Sequence, residues 1–486
     1  MRARLLLAAA ALAAFGASLG SGFHFDDYAI FDGASLASAS RWSAAFSLRQ
    51  TRPLTYLSFC LNRALGGGDP LGYHLVNLAL HLAAALLAYE CLSRLMDRRA
   101  AWLAAAVFAA HPIQAEAVDY IWARAIVLAA VFVFAALLAW IAGRPWLTGA
   151  LFALALLSKE ECVAFPLALW LVEARLIPKP ASVRRFRPWA PLAAMLALSF
   201  AAGLRTVYAA ATTPGSQAGP QAGITPARYL LAQGAVLWRY LRLFAVPYGF
   251  TVDPEVQVPP VWLSVAAWLA VAAGLAAAWR WRRDLAVWLA VALLFLLPSS
   301  SIFPAADLAA DRRMYLPVLP MAAAAAILLS RFGRRLLPAI AAPLMTAVVL
   351  LSIGRTRVWG SDESLWREAV RRAPDKVRPR IQLSRSVGTG EALALLEEAR
   401  RIAPEDPAVA AETGRVLLAA GRAGEALAQF GRALALAPRD ANNYNNRGVA
   451  LQALGQTGAA RQDFERALEL DPGLDAAREN LRKSAP

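Results

Sequence analysis

Long apolar runs succeed one another as far as Gly354, near 4–22, 72–93, 100–118, 124–142, 145–158, 161–178, 188–208, 259–279, 285–301, 314–331 and 335–354. A backbone surrounded by lipid must satisfy its own N–H and C=O groups, so runs of this length fold as helices. A content of 58% hydrophobic and 17% charged residues excludes an ordinary soluble globular protein. The expected fold class is all-α, with a polytopic membrane domain over 1–354 of about eleven spans. The run 145–158 is short for a full crossing and is expected to lengthen into its flanks or tilt less.

A formal charge of +16 would suit nucleic acid, but the cations are placed otherwise. Arg94, Arg98 and Arg99, then Arg144, then Lys179, Arg184, Arg185 and Arg187 fall in alternate short loops, the pattern of cytoplasmic loops. The stretch 228–250 is long enough to cross but carries Arg228, Gln233, Arg239 and Arg242. Laid in the outer interface as an amphipathic or re-entrant helix, it leaves Arg280, Arg282, Arg283, Arg331, Arg334 and Arg335 all inside. The expected topology has a cytoplasmic amino terminus, with 2–20 an uncleaved signal anchor (the alternative being a cleaved signal peptide, which leaves the next loop outside as well), and an outward carboxyl terminus. Cys60, Cys91 and Cys162 have no paired spacing, which argues against a disulfide framework or a zinc site. The Ala/Arg/Leu-rich composition points to a bacterium of high genomic GC content. The membrane would then be the inner one and the outer compartment the periplasm.

Unusual polarity collects in four outward stretches. The first acidic residues, Asp26 and Asp27, follow the first apolar run directly; carboxylates beside a membrane are costly, which makes the pair a site hypothesis. Arg52 follows an amphipathic stretch at 40–48, and its alternative role is head-group snorkelling. Glu116 lies beyond His111-Pro112 and is either a second site carboxylate or a structural bridge to Arg124 or Lys159. Lys159-Glu160-Glu161 occupies a very short turn. Arg312 and Arg313 stand outside, against the charge rule, where an anionic ligand would justify them; the plainer reading pairs them with Asp307 or Asp311. His74, Asn77 and His81 share one helix face, and a seven-residue separation rises ~10 Å, too far for one ion. Interhelical hydrogen bonding is their expected role.

After Gly354 the composition turns charged and Ala-rich, and a period of ~34 residues emerges. Gly414, Gly421, Ala426, Phe430, Ala433 and Pro438 recur as Gly448, Gly455, Ala460, Phe464, Ala467 and Pro472. This is the tetratricopeptide pattern, an α-solenoid over 355–486. A unit at 377–404 lacks four residues, placed by expectation in its turn; 361–374 reads as a lone second helix and 475–482 as a cap. The first helix of each unit lines the concave side, where Asn442, Asn445 and Val449 join Ala408, Ala411 and Arg415. Asn442, Asn445 and Arg415 are therefore the candidate acceptor-binding residues, since amides pair with an extended peptide backbone without demanding one sequence.

Phe25-Asp26-Asp27-Tyr28, Arg52-Pro53-Leu54-Thr55, Gly72 to Asn77, His111-Pro112 with Glu116-Ala117-Val118, Ser158-Lys159-Glu160, Arg313 with Tyr315-Leu316-Pro317, and Trp359 through Trp366 occur in an order that resembles the transmembrane and tetratricopeptide-repeat-containing O-mannosyltransferases. The resemblance implies a GT-C type membrane fold and a sugar donor linked to a polyprenyl phosphate, used on the lumenal or periplasmic side. Such transfer requires a base for the acceptor hydroxyl and charge stabilisation for the departing phosphate. The base is Asp26 or Asp27, with Glu116 a further catalytic candidate; Arg52, Lys159, Arg312 and Arg313 are candidates for the phosphate. No cofactor is demanded, and Asp26, Asp27 and Glu116 would be the ligands if a divalent ion takes part. The expected partners are the lipid-linked donor, a protein acceptor on the repeats and the membrane, not nucleic acid. Three rivals stand against this reading: a non-catalytic membrane-anchored repeat scaffold, a flippase or transporter, and a transferase acting on a glycan or lipid acceptor.

Overall fold

The computed structural model describes residues 1–30, 50–177, 189–213 and 218–484. The stretch 40–48 and the loop cations Lys179, Arg184, Arg185 and Arg187 fall outside the described residues. The chain divides into two compact units, Met1–Ser361 and Asp362–Pro486. Both are helical; among the described residues there is no strand beyond an isolated bridge between Ala218 and Ala305.

The first unit comprises α1 (Arg2–Phe15), α2 (Pro53–Gly66), α3 (Pro70–Leu95), α4 (Arg98–Ala110), α5 (Ala115–Asp119), α6 (Arg124–Ile141), α7 (Pro145–Ser158), α8 (Phe165–Arg175), α9 (Trp189–Thr212), α10 (Pro226–Ala245), α11 (Val261–Trp281), α12 (Arg283–Leu296), α13 (Val318–Leu329) and α14 (Gly333–Val358). Its centre is formed by α3, α4, α6 and α13, which pack on one another. Alanine makes this close approach feasible: Ala100, Ala101, Ala104, Ala105, Ala106, Ala109 and Ala110 bury almost all sides of α4. Around this centre, α9, α11 and α14 are apolar yet mostly exposed, as suits helices whose outer faces meet lipid.

Among the described residues, six helices are long and apolar enough to cross a membrane, including 70–95, 189–212 and 261–281. Several expected spans are interrupted. The run 100–118 is helical only to Ala110, because Pro112 has no N–H to continue the ladder. His111 Nδ1 instead accepts from the Ile113 N–H at 3.2 Å, and a 3-10 turn leads into α5. The run 161–178 likewise opens with a 3-10 turn at Glu160–Ala164, and α8 begins at Phe165. These breaks carry polar side chains into the interior. The stretch 228–250 forms α10, with Tyr229, Gln233, Val236, Tyr240 and Leu243 buried along one side and Arg228 and Arg242 exposed. It packs on α11 at Gly234, where a Cβ would lie 3.1 Å from the Ser264 carbonyl oxygen.

The second unit contains α15 (Asp362–Arg372), α16 (Val377–Ser384), α17 (Thr389–Ile402), α18 (Pro407–Ala419), α19 (Ala423–Leu436), α20 (Ala441–Ala453), α21 (Thr457–Leu470) and α22 (Asp475–Lys483). The residues missing from the 377–404 unit come from its first helix and not from its turn: α16 has 8 residues where α18 has 13. The recurring glycine and phenylalanine meet inside each repeat. A Cβ on Gly414 would lie 2.8 Å from Phe430, and one on Gly448 would lie 2.6 Å from Phe464. Gly448→Ala is therefore expected to lower the stability of the repeat unit by about 1–3 kcal/mol through overpacking, measured as a shifted urea midpoint; an unchanged midpoint would show that Phe464 yields freely.

Candidate active site

The chain leaves α1 through a 3-10 turn at Gly16–Gly20 and enters a second at Phe25–Ile30. Neighbouring side chains on so tight a turn point apart, and the acidic pair is split accordingly. Asp27 is fully buried. Its Oδ2 accepts from the His24 N–H (3.0 Å) and its Oδ1 from the Trp122 N–H (2.7 Å), which fastens the first loop to the turn between α5 and α6. Burial pushes its carboxyl up to about 7, with the His24 and Trp122 contacts opposing the shift. A value near neutrality suits a general base, but reach decides first, and both Asp27 oxygens are taken by backbone donors. Asp26 faces a cavity of about 730 Å³, and its Oδ2 accepts from the Tyr120 hydroxyl at 2.8 Å.

The cavity lining has two characters. Arg52, Lys159, Glu160, Glu161, Arg312 and Arg313 contribute charge, while Leu167, Phe200, Leu204, Val207, Leu297 and Phe303 are apolar. Three of the cations are paired. Arg52 forks onto Glu160, with Nε to Oε2 at 2.9 Å and the second arm at 2.5 Å. Burial alone would raise the Glu160 carboxyl, but the Arg52 guanidinium holds it well below the usual range. Lys159 stands 3.5 Å from Glu161; burial, with the Arg52 charge adding to it, lowers the Lys159 ammonium. Arg312 forms an ion pair with the buried Glu116 and also gives it a backbone N–H at 3.1 Å. Arg313 differs. It donates to neutral oxygens, the Tyr229 hydroxyl (3.3 Å) and the carbonyls of Leu308 (3.1 Å) and Asp307 (2.8 Å). Among the described residues, then, Asp26 and Arg313 are the charged groups of the cavity left without an opposite charge.

The structural bridges differ from those the spacing suggests. Glu116 takes Arg312, not Arg124 or Lys159. Arg124 is buried at the start of α6, where Nε donates to the Asn77 amide oxygen (2.7 Å) and NH2 to the Tyr73 carbonyl (3.0 Å), with the guanidinium 4.5 Å over the Phe59 ring. Asp311 pairs with Arg239 of α10 at 2.6 Å, so neither Arg312 nor Arg313 is neutralised by Asp311. The polar face of α3 joins helices: His81 Nε2 donates to the Ala109 carbonyl (3.0 Å), its Nδ1 lies 2.7 Å from the Tyr315 hydroxyl, and the Asn77 amide reaches the Val118 carbonyl at 3.4 Å. Asp26, Asp27 and Glu116 do not form a donor set for an ion, since Asp27 is held by backbone N–H groups and Glu116 by Arg312.

Some supporting residues gave no signal of this role in the sequence, Gln233 standing out only as polar. Tyr229, Gln233 and Tyr240 of α10 bind the Ser299, Leu308 and Ala310 carbonyls at 2.6, 3.0 and 3.0 Å, and so hold the segment that presents Arg312 and Arg313. Tyr120 is a further case. In the repeat unit, Asn442 is exposed, Asn445 is buried with its Oδ1 accepting from Asn480 of α22 (2.9 Å), and Arg415 donates to Glu412 (2.9 Å). Of the three acceptor-binding candidates, Asn442 alone presents an uncommitted side chain among the described residues.

Comparison with known proteins adds to this geometry. A family profile for the tetratricopeptide repeat matches residues 441–474. Protein O-mannosyl-transferase TMTC3 of Mus musculus is 33% identical over 180 residues, 32% of this chain and 20% of its own. Protein O-mannosyl-transferase TMTC2 of Homo sapiens is 36% identical over 157 residues, 29% of this chain and 19% of its own. Over about a third of its length or less, this chain is similar to the TMTC protein O-mannosyl-transferases. Human TMTC4, 33% identical over 27% of this chain and 22% of its own, agrees. The chain spans about a fifth of the length of these relatives. Among solved structures, the first tetratricopeptide domain of Spaghetti (RPAP3) bound to an HSP90 peptide covers 20% of this chain and 76% of its own at 27% identity and a TM-score of 0.20, a superposition too partial to argue from.

Proposed function

We propose that this membrane protein is a glycosyltransferase that moves a hexose such as mannose from a polyprenyl-phosphate donor to a Ser or Thr hydroxyl of a protein, with the repeats presenting the acceptor. One observation carries the reading: a carboxylate and a guanidinium, Asp26 and Arg313, face one cavity without opposite charges of their own, and part of its wall is apolar. The acceptor hydroxyl gives its proton to Asp26 as its oxygen bonds to the anomeric carbon. The bond from that carbon to the phosphate oxygen breaks, and the electron pair leaves with the polyprenyl phosphate. Arg313 meets the phosphate, with Arg52, Lys159 and Arg312 contributing field from their ion pairs. A single displacement of this kind inverts the anomeric centre. A phosphate is a fair leaving group, so no second carboxyl is needed as an acid, in contrast to glycoside hydrolysis. The apolar residues Leu167, Phe200, Leu204 and Val207 suit the first isoprene units of the carrier.

The similarity to named O-mannosyl-transferases supports mannose and a protein acceptor. The alternation of loop cations supports about eleven crossings, an inner-membrane location and a periplasmic site. Purified full-length protein incubated with a panel of radiolabelled polyprenyl-phosphate hexoses and a Ser/Thr-rich polypeptide is expected to label the polypeptide from one of them. Transfer to a glycan or lipid acceptor alone would correct the acceptor, and no transfer from any donor would favour a repeat-bearing scaffold.

A further inference from the structure

Tyr120 is used by nothing above except as a neighbour of Asp26, yet it is held more firmly than any other cavity residue near the acid. Its ring is almost fully buried. Phe25 lies against it at 4.6 Å between ring centroids, and Trp359 at 5.7 Å with only 24° between the planes. Trp359 is fixed in turn: its carbonyl accepts from His24 Nε2 at 2.7 Å, and its ring meets the His24 ring edge-on at 5.7 Å. Asp27 bonds the backbone on both sides of this assembly, at His24 and at Trp122. The phenol therefore has one position, and from it the hydroxyl donates to Asp26 Oδ2.

We propose that Tyr120 is the positioning residue for the base: it occupies Oδ2 of Asp26 and so leaves Oδ1 to take the proton from the acceptor hydroxyl, while Trp359 holds Tyr120 in that role. The inference rests on the reading of Asp26 as the base. A fixed donor selects one carboxylate rotamer. Burial, with the Asp26 charge adding to it, raises the Tyr120 phenol well above its ordinary value, so the hydroxyl keeps its proton throughout the working range and remains a donor. The other titratable groups at this corner are Asp27 and His24 from the same loop and Arg312 from the opposite segment; none is altered by the test below.

Tyr120→Phe removes the hydroxyl and keeps the ring against Phe25 and Trp359. The expected result is a fall in kcat of about 10-fold with no change in KM for donor or acceptor, because the base is less often aimed at the acceptor hydroxyl. Trp359→Leu, which frees the phenol without touching the acid, is expected to act in the same direction, and the double variant is expected to be no worse than the poorer single one. A lowered melting temperature with an unchanged kcat per folded molecule would make Tyr120 a packing residue and overturn the proposal. Additive losses in the double variant would remove Trp359 from it. Asp26→Asn is the control that separates the two levels: full activity there refutes the base itself, whereas loss of activity there with an unchanged kcat per folded molecule in Tyr120→Phe refutes only the role of Tyr120.

Discussion

Asp26→Asn is expected to lower sugar transfer on the order of 10²- to 10⁴-fold, the range for loss of a general base, while the protein inserts and folds as before. The amide has the size of the acid and still accepts from the Tyr120 hydroxyl, so the corner of the cavity keeps its shape. Asp27→Asn is expected to behave differently. Its two oxygens hold the N–H groups of His24 and Trp122, and an amide offers only one acceptor oxygen for these two donors. The consequence falls on stability, since a buried N–H left without a partner costs about 1–3 kcal/mol. Turnover per folded molecule and thermal unfolding, measured on both variants, separate the two roles. A collapse of turnover in well-folded Asp27→Asn, with Asp26→Asn active, would exchange them.

Arg313→Gln should be the second large effect, a loss of turnover on the order of 10²- to 10³-fold, as for removal of one preorganised donor to a developing anion. The variant should remain folded, because Arg313 neutralises no carboxylate among the described residues and its partners are two carbonyls and a hydroxyl. Arg313→Lys keeps the charge but not the fork and is expected to fall between the two. Arg312→Gln offers the contrast, since it strands Glu116 in the interior; breaking a buried pair costs about 3–5 kcal/mol, so its main effect should be on yield and melting temperature. Donor saturation curves for folded Arg313 variants decide the matter. Activity at the level of the unaltered protein in Arg313→Gln would return the phosphate to Arg52 and Lys159.

The sequence drew attention to the charged residues of the cavity because they break rules that hold elsewhere in the chain. Acids beside an apolar run, arginines on the outer side and charges in a two-helix turn each demand an explanation. What could not be read was which of these groups neutralise one another. Arg52 meets Glu160 and Arg312 meets Glu116 across separations of 108 and 196 residues, and nothing local to either partner indicates the other. The division of labour between Asp26 and Asp27 was hidden for the same reason, because it is set by the Trp122 N–H, 95 positions away. Tyr120 gave no signal: a tyrosine beside apolar sequence is ordinary, and its distinction comes from its ring contacts with Phe25 and Trp359. The helix end before Pro112 was not drawn, because the apolar run continues to 118 and hydropathy outweighed the proline, whereas the repeats were legible because their small and aromatic positions recur at one period. The location of the four-residue deletion was not, since a shortened helix and a shortened turn leave the same gap in the pattern.

That shortened helix has a consequence for how the repeat unit comes apart. In a linear array each unit is held by its own packing and by its neighbours on either side, and cooperativity passes along only while every unit is firm. With 8 residues, α16 forms about two turns of helix and few of the main-chain bonds that reward propagation. It lacks the Gly–Phe contact that closes the two following units at Gly414 and Gly448. Local opening is therefore expected to begin at α16, so that the array behaves as a firm block from α18 to α22 joined through a yielding element to α15, the helix with which the unit begins.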